Sequence, residues 1–290
     1  MAIHVDPRHL KKRQRVDKAF AMVCFGAVSI GVILLITLLY LIFKDGWAYL
    51  KPELLTRMDS HRPAKAGLLP AIMGSLYIVG LTAVIAIPIG VAAAVYLEEF
   101  GKRNRMTQLI QLNIANLASV PSIIYALLGL LLFIYTFNLG RSILAGALTM
   151  TLLILPMVII TSQEALRAVP KTTRESSLAL GATPWQTIWK AVLPAAFPGI
   201  LTGIILSVSR CLGETAPLIT MGAVYVTFKP ASMHDKFTAL PLKIFNWTSQ
   251  PQEQFHHLAS AAIIVMLTVL LSLNLVAIVL RNRYQRKLGR

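Results

Sequence analysis

Arg210 and Glu214 are opposite charges four positions apart inside a long apolar run. On a helix that spacing puts them on one face. With a helix starting near Ala195, Arg210 lies 15 residues in, roughly 22 Å along the axis at ~1.5 Å per residue. That depth falls within a hydrocarbon core of ~30 Å. A charge there costs ~2.5–3.5 kcal/mol, so it must face a cavity or a partner. Two chemistries stay open at this point. The pair can be an ion pair that locks helices, or Arg210 can guide an anion while Glu214 competes for the guanidinium and lets the anion leave. The planar fork of arginine suits an oxyanion, because it meets two oxygens at once and stays charged.

A second stretch carries recognition chemistry, Pro170 to Pro194. Thr172 and Glu175 fit a capping box, and Gly181 is placed to end that helix in a left-handed conformation. Thr183 caps a second helix with Pro184 at its first position and Gln186 closing another capping box. Trp185, Ile188, Trp189 and Val192 make an apolar stripe at spacings of three and four, and Pro194 is expected to stop the helix. A helix, a sharp turn and a helix showing two tryptophans cannot bury their apolar face alone. They must dock on something. No nucleotide-binding loop, nucleophile elbow, HExxH or paired intramembrane carboxylates are present, so no reaction is written into the chain. His256 and His257 are adjacent, face different directions on a helix, and read as a solvated helix start.

The elements that position these residues follow from composition. Of 290 residues, 56% are hydrophobic and 14% charged, and several apolar runs exceed the ~18 residues of a membrane span. The net charge of +16 mostly flanks those runs; it orients loops and does not imply nucleic acid. Cys24 and Cys211 sit inside apolar runs and suggest neither a disulfide nor a metal site. The N-terminal run is too long for a signal peptide and lacks a small-residue cleavage site, so it reads as a permanent anchor.

The fold expected is an all-α membrane protein with six spans at about 20–43, 69–97, 109–136, 142–162, 195–222 and 258–280. An even number puts both termini on one side. Lys and Arg number eighteen on that side, including the loop around Lys102, and nine on the other, which makes the termini and the 163–194 loop cytoplasmic. Residues 1–18 are then a basic cytoplasmic tail, 19–66 the first span with an external loop, 67–281 the five-span core and 282–290 a basic C-terminus. Prolines within spans require bundle neighbours to satisfy freed carbonyls. Gly199, Gly203, Ser207 and Cys211, every fourth residue, form a small-residue ridge for close helix contact. The segment 223–257, with Phe237, Phe245 and Trp247, is expected to lie on the outer surface.

The stretch from Glu175 through Gly181 to Pro194 resembles the EAA loop of ABC-importer permeases, with Ser176 and Ser177 where alanines are commoner. The resemblance implies that Glu175, Leu180, Gly181, Thr183, Trp185, Ile188 and Trp189 couple to a separate ATPase, which holds the ATP and Mg2+; no cofactor is expected on this chain. Pro88 to Phe100, Ser119 to Tyr125 and Ser209 to Pro217 are together similar to the permeases of phosphate-specific (Pst) importers. The last of these stretches resembles the PstA-type permeases more than their PstC-type sisters. That family implies a type I importer in the bacterial inner membrane. It also implies a heterodimer with a sister permease of the PstC type, two ATPases, an external phosphate-binding protein, and a pathway lined by Arg210, Glu214 and Thr215. Alternatives are a permease for sulfate, molybdate or phosphonate, or an ion-coupled secondary transporter. The latter should show internal repeats, and Arg210–Glu214 has no counterpart in the first three spans.

Overall fold

The computed structural model describes residues 7–101, 104–221 and 228–288. Lys102, the first six and last two residues of the basic termini, and the start of the 223–257 segment lie outside them. Among the described residues all regular structure is helical. The first helix, α1, runs Pro7–Gly46, well beyond the apolar run at both ends. A short helix α2 (Pro52–Thr56) leads to α3 (Leu69–Val95), which carries Pro88 inside and continues through a wide turn at Tyr96–Phe100.

The span expected at 109–136 is two helices, α4 (Arg105–Ala118) and α5 (Ser122–Gly129, extended by a wide turn Leu130–Thr136), bent by 100°. Pro121 explains the corner: it has no N–H to donate and pushes the residue before it out of helical geometry. The bent pair still carries the chain from one end of the bundle to the other. At its start, Glu98 and Glu99 pair with Arg167 and Arg174. Beyond its end, α6 (Ile143–Arg167) begins against the opposite loop, with Ile143 N–H donating to Asp235 O (3.1 Å) and Leu144 N–H to Met233 O (3.0 Å). Among the described residues five helices are long and apolar enough to cross a membrane, and this broken pair, taken as one span, makes six crossings.

After α7 (Lys171–Ala179), a helical rod runs without interruption over Pro184–Gly213. It comprises α8 (Pro184–Thr187), a wide turn Ile188–Val192, and α9 (Leu193–Gly213). Pro194 therefore does not stop the second loop helix. The widened turn just before it absorbs the missing hydrogen bond. The fifth span ends earlier than 222: Pro217 cannot donate to the Gly213 carbonyl, so the helix breaks there and a short α10 (Ala216–Thr220) follows.

The described part of the segment expected on the outer surface, 228–257, is only partly exposed: Phe245 is open, but much of the rest sinks into the bundle end. Its helix α11 (Leu240–Thr248) buries Leu240 and Trp247, and Phe237 is 2% exposed. A Cβ on Gly146 would stand 2.9 Å from the Phe237 ring, so the glycine makes room for it. Lys243 is buried with Asp59 from the loop before α3, over the Trp247 ring. Burial pulls the Lys243 ammonium below its usual range, and the Asp59 hydrogen bond opposes that shift. At the same end, the N–H groups of Ala231 and Ser232 lower the Asp235 carboxyl.

The last helix, α12 (Glu253–Leu288), meets α1 where a Cβ on Gly46 would collide with the Ala261 backbone at 2.7 Å. The bundle centre is α3, α6 and α9. Gly90 stands against Val158, and the small-residue ridge of α9 faces α6. A Cβ on Gly199 would stand 2.8 Å from Ala165 and one on Gly203 2.2 Å from Thr161. Ser207 and Cys211 continue the buried line. Backbones this close suit a lipid environment, where packing replaces the hydrophobic drive between helices.

Candidate functional site

Arg210 sits in the last turn of α9, three residues before the break, where a cation complements the carbonyl end of the helix. Its Nε donates to Glu214 Oε1 at 3.2 Å. Glu214 is no longer on the helix: at φ −74° and ψ 123° it is extended, and its side chain folds back to reach Arg210. Spacing predicted the pair; the break supplies its geometry. Thr215, the next residue, starts α10 with its carbonyl accepting from Leu218 and Ile219 N–H.

Arg210 stands seven residues, about two turns, beyond Gly203, at the far edge of the ridge and past the Gly199–Ala165 and Gly203–Thr161 contacts with α6. Its side chain is 45% exposed, and Leu206, one turn earlier, is exposed too. Depth is fixed by α12: Ser209 hydrogen-bonds Asn274, inside the apolar run that closes at Leu280. An arginine on an open helix face at that depth cannot face hydrocarbon cheaply. This face is made to be covered by polar surroundings: an aqueous path, a partner, or both.

At the other end of the same rod, Thr183 and Gln186 form the capping box, with the Gln186 N–H to Thr183 Oγ1 at 3.3 Å and the Thr183 N–H to Gln186 Oε1 at 3.0 Å. Gly181 has φ +84°, and its N–H reaches Leu178 O while the Ala182 N–H reaches Ser177 O. That double bond pattern is the Schellman ending of α7. Nothing lies within 4 Å of a Cβ added at Gly181; its demand is for backbone conformation, not space. The Thr172–Glu175 capping box does not form. Pro170, whose carbonyl takes the Thr173 N–H, starts the helix at Lys171, so Thr172 falls inside the first turn and Glu175 is exposed.

The expected apolar stripe divides. Val192 is buried against this chain's own α3 and α6, and Ile188 is buried on the α3 side of the groove, because the rod is continuous with α9 and turns that side inward. Trp185 and Trp189 remain outside, 5.6 Å apart, with Phe100 5.9 Å from Trp185. They close the mouth of an apolar groove of about 560 Å³ that runs between α3 and α9. Leu180, 89% exposed, projects from the turn. Of the predicted coupling residues, Glu175, Leu180, Gly181, Thr183, Trp185 and Trp189 share an open surface, and Ile188 does not.

Sequence reading missed what holds this surface. The Arg174 guanidinium grips both Glu99 oxygens and donates to Leu166 O and Val169 O, each at 2.9 Å. One side chain thus ties α7 to the end of α3 and caps the last carbonyls of α6. The Glu99 hydrogen bonds hold Arg174 protonated, above its already high range. Arg167–Glu98 adds an exposed companion pair, and Ser177 Oγ meets Thr187 Oγ1 at 3.0 Å to join the two loop helices. The only signal in the sequence was an acidic doublet at a span end, 75 residues from its partner.

Residues 86–290 match the model of the binding-protein-dependent transport system inner membrane component family. The phosphate transport system permease protein PstA 1 of Mycobacterium tuberculosis is 34% identical over 284 residues, covering 94% of this chain and 91% of that protein. PstA of Haemophilus influenzae is 34% identical over 267 residues, covering 91% and 93%. Among solved structures, a bacterial ABC transporter importing the acidic polysaccharide alginate superposes with TM-score 0.65 at 17% identity, over 95% of this chain and 99% of that one. The inward-facing MetNI methionine ABC transporter gives 0.61 at 15%, over 75% and 95%. These share the fold, a rod-and-loop permease bundle. With its matched core and its full-length relatives, the chain belongs to the binding-protein-dependent transport system inner membrane component family, as a PstA-type ABC permease.

Proposed function

We propose that the chain is the membrane-spanning permease of an ATP-driven importer of inorganic phosphate. The observation that carries this is a single arginine presented on an open helix face inside the membrane, in a chain whose full-length relatives are named for phosphate transport. Phosphate carries one to two negative charges, and apolar walls would exclude it without a compensating cation. Arg210 supplies that cation, and Glu214 competes for it so that the anion is passed on; Thr215 borders the same break.

The partners follow from the open surfaces. A sister permease covers the Arg210 face. ATPase subunits, which carry ATP and Mg2+, receive Leu180, Trp185 and Trp189 on the cytoplasmic side. An external phosphate-binding protein delivers the anion at the opposite end. Both termini are cytoplasmic. The rod Pro184–Gly213 links the ATPase-facing surface to Arg210 in one piece, so a push at the loop moves the arginine.

The test is uptake of labelled phosphate into proteoliposomes holding both permeases and the ATPase, with binding protein and ATP supplied. ATP-dependent accumulation that sulfate and molybdate do not compete away is expected. Accumulation of either of those anions in preference to phosphate overturns the reading.

A further inference from the structure

The helix that carries Arg210 is fastened to α12 by two polar rungs inside otherwise apolar surfaces. Arg281 Nη1 donates to Thr202 Oγ1 at 3.2 Å, and Ser209 Oγ donates to Asn274 Oδ1. From Thr202 to Ser209 is seven residues, and from Asn274 to Arg281 is seven in the opposite direction. Seven residues are about two helical turns, ~10.5 Å, so both rungs lie on one face of each antiparallel helix. The rest of the seam is apolar: Ile205, Val208 and Leu212 on α9, Leu270 and Ala277 on α12. Each α9 hydroxyl also faces a carbonyl of its own helix: Thr202 donates to Pro198 O at 2.9 Å while accepting from Arg281, and Ser209, with one proton, shares it between Ile205 O at 2.7 Å and Asn274 Oδ1.

Resting on the function proposed above, we infer that Asn274 and Arg281 are positioning residues for transport, which bind α12 to the α9 rod so that the two move as one body. Two surfaces of α9 are then assigned. The glycine–serine ridge slides on α6, where small residues leave a smooth contact, and the rung face is fixed to α12. Arg210, two turns beyond Gly203, lies at the open far edge of the ridge and points about 100° away from the Ser209 rung. Apolar seams alone set neither register nor rotation in lipid, since the surrounding chains are equally apolar; hydrogen bonds across helices do. A rotation of α9 by one residue would carry Arg210 off its open face, and the rungs oppose that rotation.

The test uses the complete reconstituted assembly and labelled phosphate. Asn274→Leu is expected to lower ATP-dependent uptake about 3-fold to 10-fold, while the chain still inserts and still retains the ATPase on purification. The reciprocal exchange Ser209→Asn/Asn274→Ser rebuilds the rung and recovers most of the loss. A covalent version gives the sharper reading. In a Cys24→Ser/Cys211→Ala background, Ser209→Cys/Asn274→Cys should transport poorly as free thiols. It should regain uptake when the pair is bridged by a short bifunctional thiosulfonate, and lose it again on reduction. A defect of folding or insertion would not follow that reversible cycle. If bridging stops uptake that the free thiols support, α9 and α12 must part during the cycle and the inference is wrong. It is equally wrong if Asn274→Leu transports phosphate like the parent. Failure of the parent itself to take up phosphate would instead overturn the proposed function.

Discussion

Arg210 and Glu214 separate two roles that look alike in a static pair. If Arg210 guides the anion, Arg210→Gln removes the only compensation the rod offers at that depth. Uptake should then fall by roughly 100-fold, the scale of the ~2.5–3.5 kcal/mol that an unmatched charge costs in the membrane. Assembly and ATP hydrolysis should persist. Glu214→Gln, which leaves the guanidinium uncontested, should impair release and so also slow uptake. A purely structural lock predicts recovery in the double variant Arg210→Gln/Glu214→Gln, which has no unpaired charge. Uptake by that double variant near the parental rate would show that Arg210 only holds Glu214. Gly181 makes a second, narrower case. Its φ of +84° costs a residue with a Cβ about 1–2 kcal/mol, and no neighbour stands in the way of a side chain. Asparagine visits that region far more readily than a β-branched residue. Gly181→Asn should therefore keep ATPase binding and uptake, whereas Gly181→Val should lose coupling. Equal behaviour of the two would remove the backbone argument.

The loop between α6 and α9 is held by one arginine that no local pattern announces. Arg174 serves Glu99, Leu166 O and Val169 O at once. Arg174→Gln leaves the Glu99 carboxylate, 9% exposed, without its cation, and breaking such a pair costs about 3 kcal/mol. Arg174→Lys should fail nearly as badly, because one ammonium cannot span the carboxylate and two carbonyls. Limited proteolysis between residues 170 and 184 would report the loosening. Unchanged protection in Arg174→Gln would show that the loop is held elsewhere. What the sequence revealed at this scale was local. The capping box at Thr183, the left-handed Gly181 and the α9 ridge follow from neighbours within four residues. Arg174–Glu99 is 75 residues apart, and no periodicity points to it. The inward turn of Ile188 depended on the rod running straight through Pro194, which a proline rule read as a stop. The Thr172 capping box failed for a related reason: Pro170 set the helix start two positions early.

At the scale of the molecule, composition pointed to six crossings but not to the shape of two of them, and the orientation it implies is a prediction. Hydropathy sees apolar length, and the corner at Pro121 and the break at Gly213 leave that length intact. The cap formed by residues 228–257 was misread in part, for a different reason. Phe237, Phe245 and Trp247 look like interfacial anchors in a polar segment; Phe245 is exposed, but Phe237 sinks in where Gly74 and Gly146 leave room for it and its neighbour Thr238, and Trp247 is buried in a cluster with Leu54, Leu68 and Phe255. This burial changes how the orientation must be tested. Lys243, on the side opposite the coupling loop, is 3% exposed beside Asp59, so an amine reagent applied from outside would miss it whichever way the chain runs. Lys51 and Ser249 are exposed at that end, and Glu175 is exposed at the other. A membrane-impermeant thiol reagent applied to intact cells should label Lys51→Cys and Ser249→Cys and leave Glu175→Cys unlabelled until the cells are opened. Lys243→Cys should stay unlabelled under both conditions while the cap is folded. Labelling of Glu175→Cys from outside, with Lys51→Cys protected, would invert the molecule. It would place Trp185 and Trp189 where no ATPase could reach them.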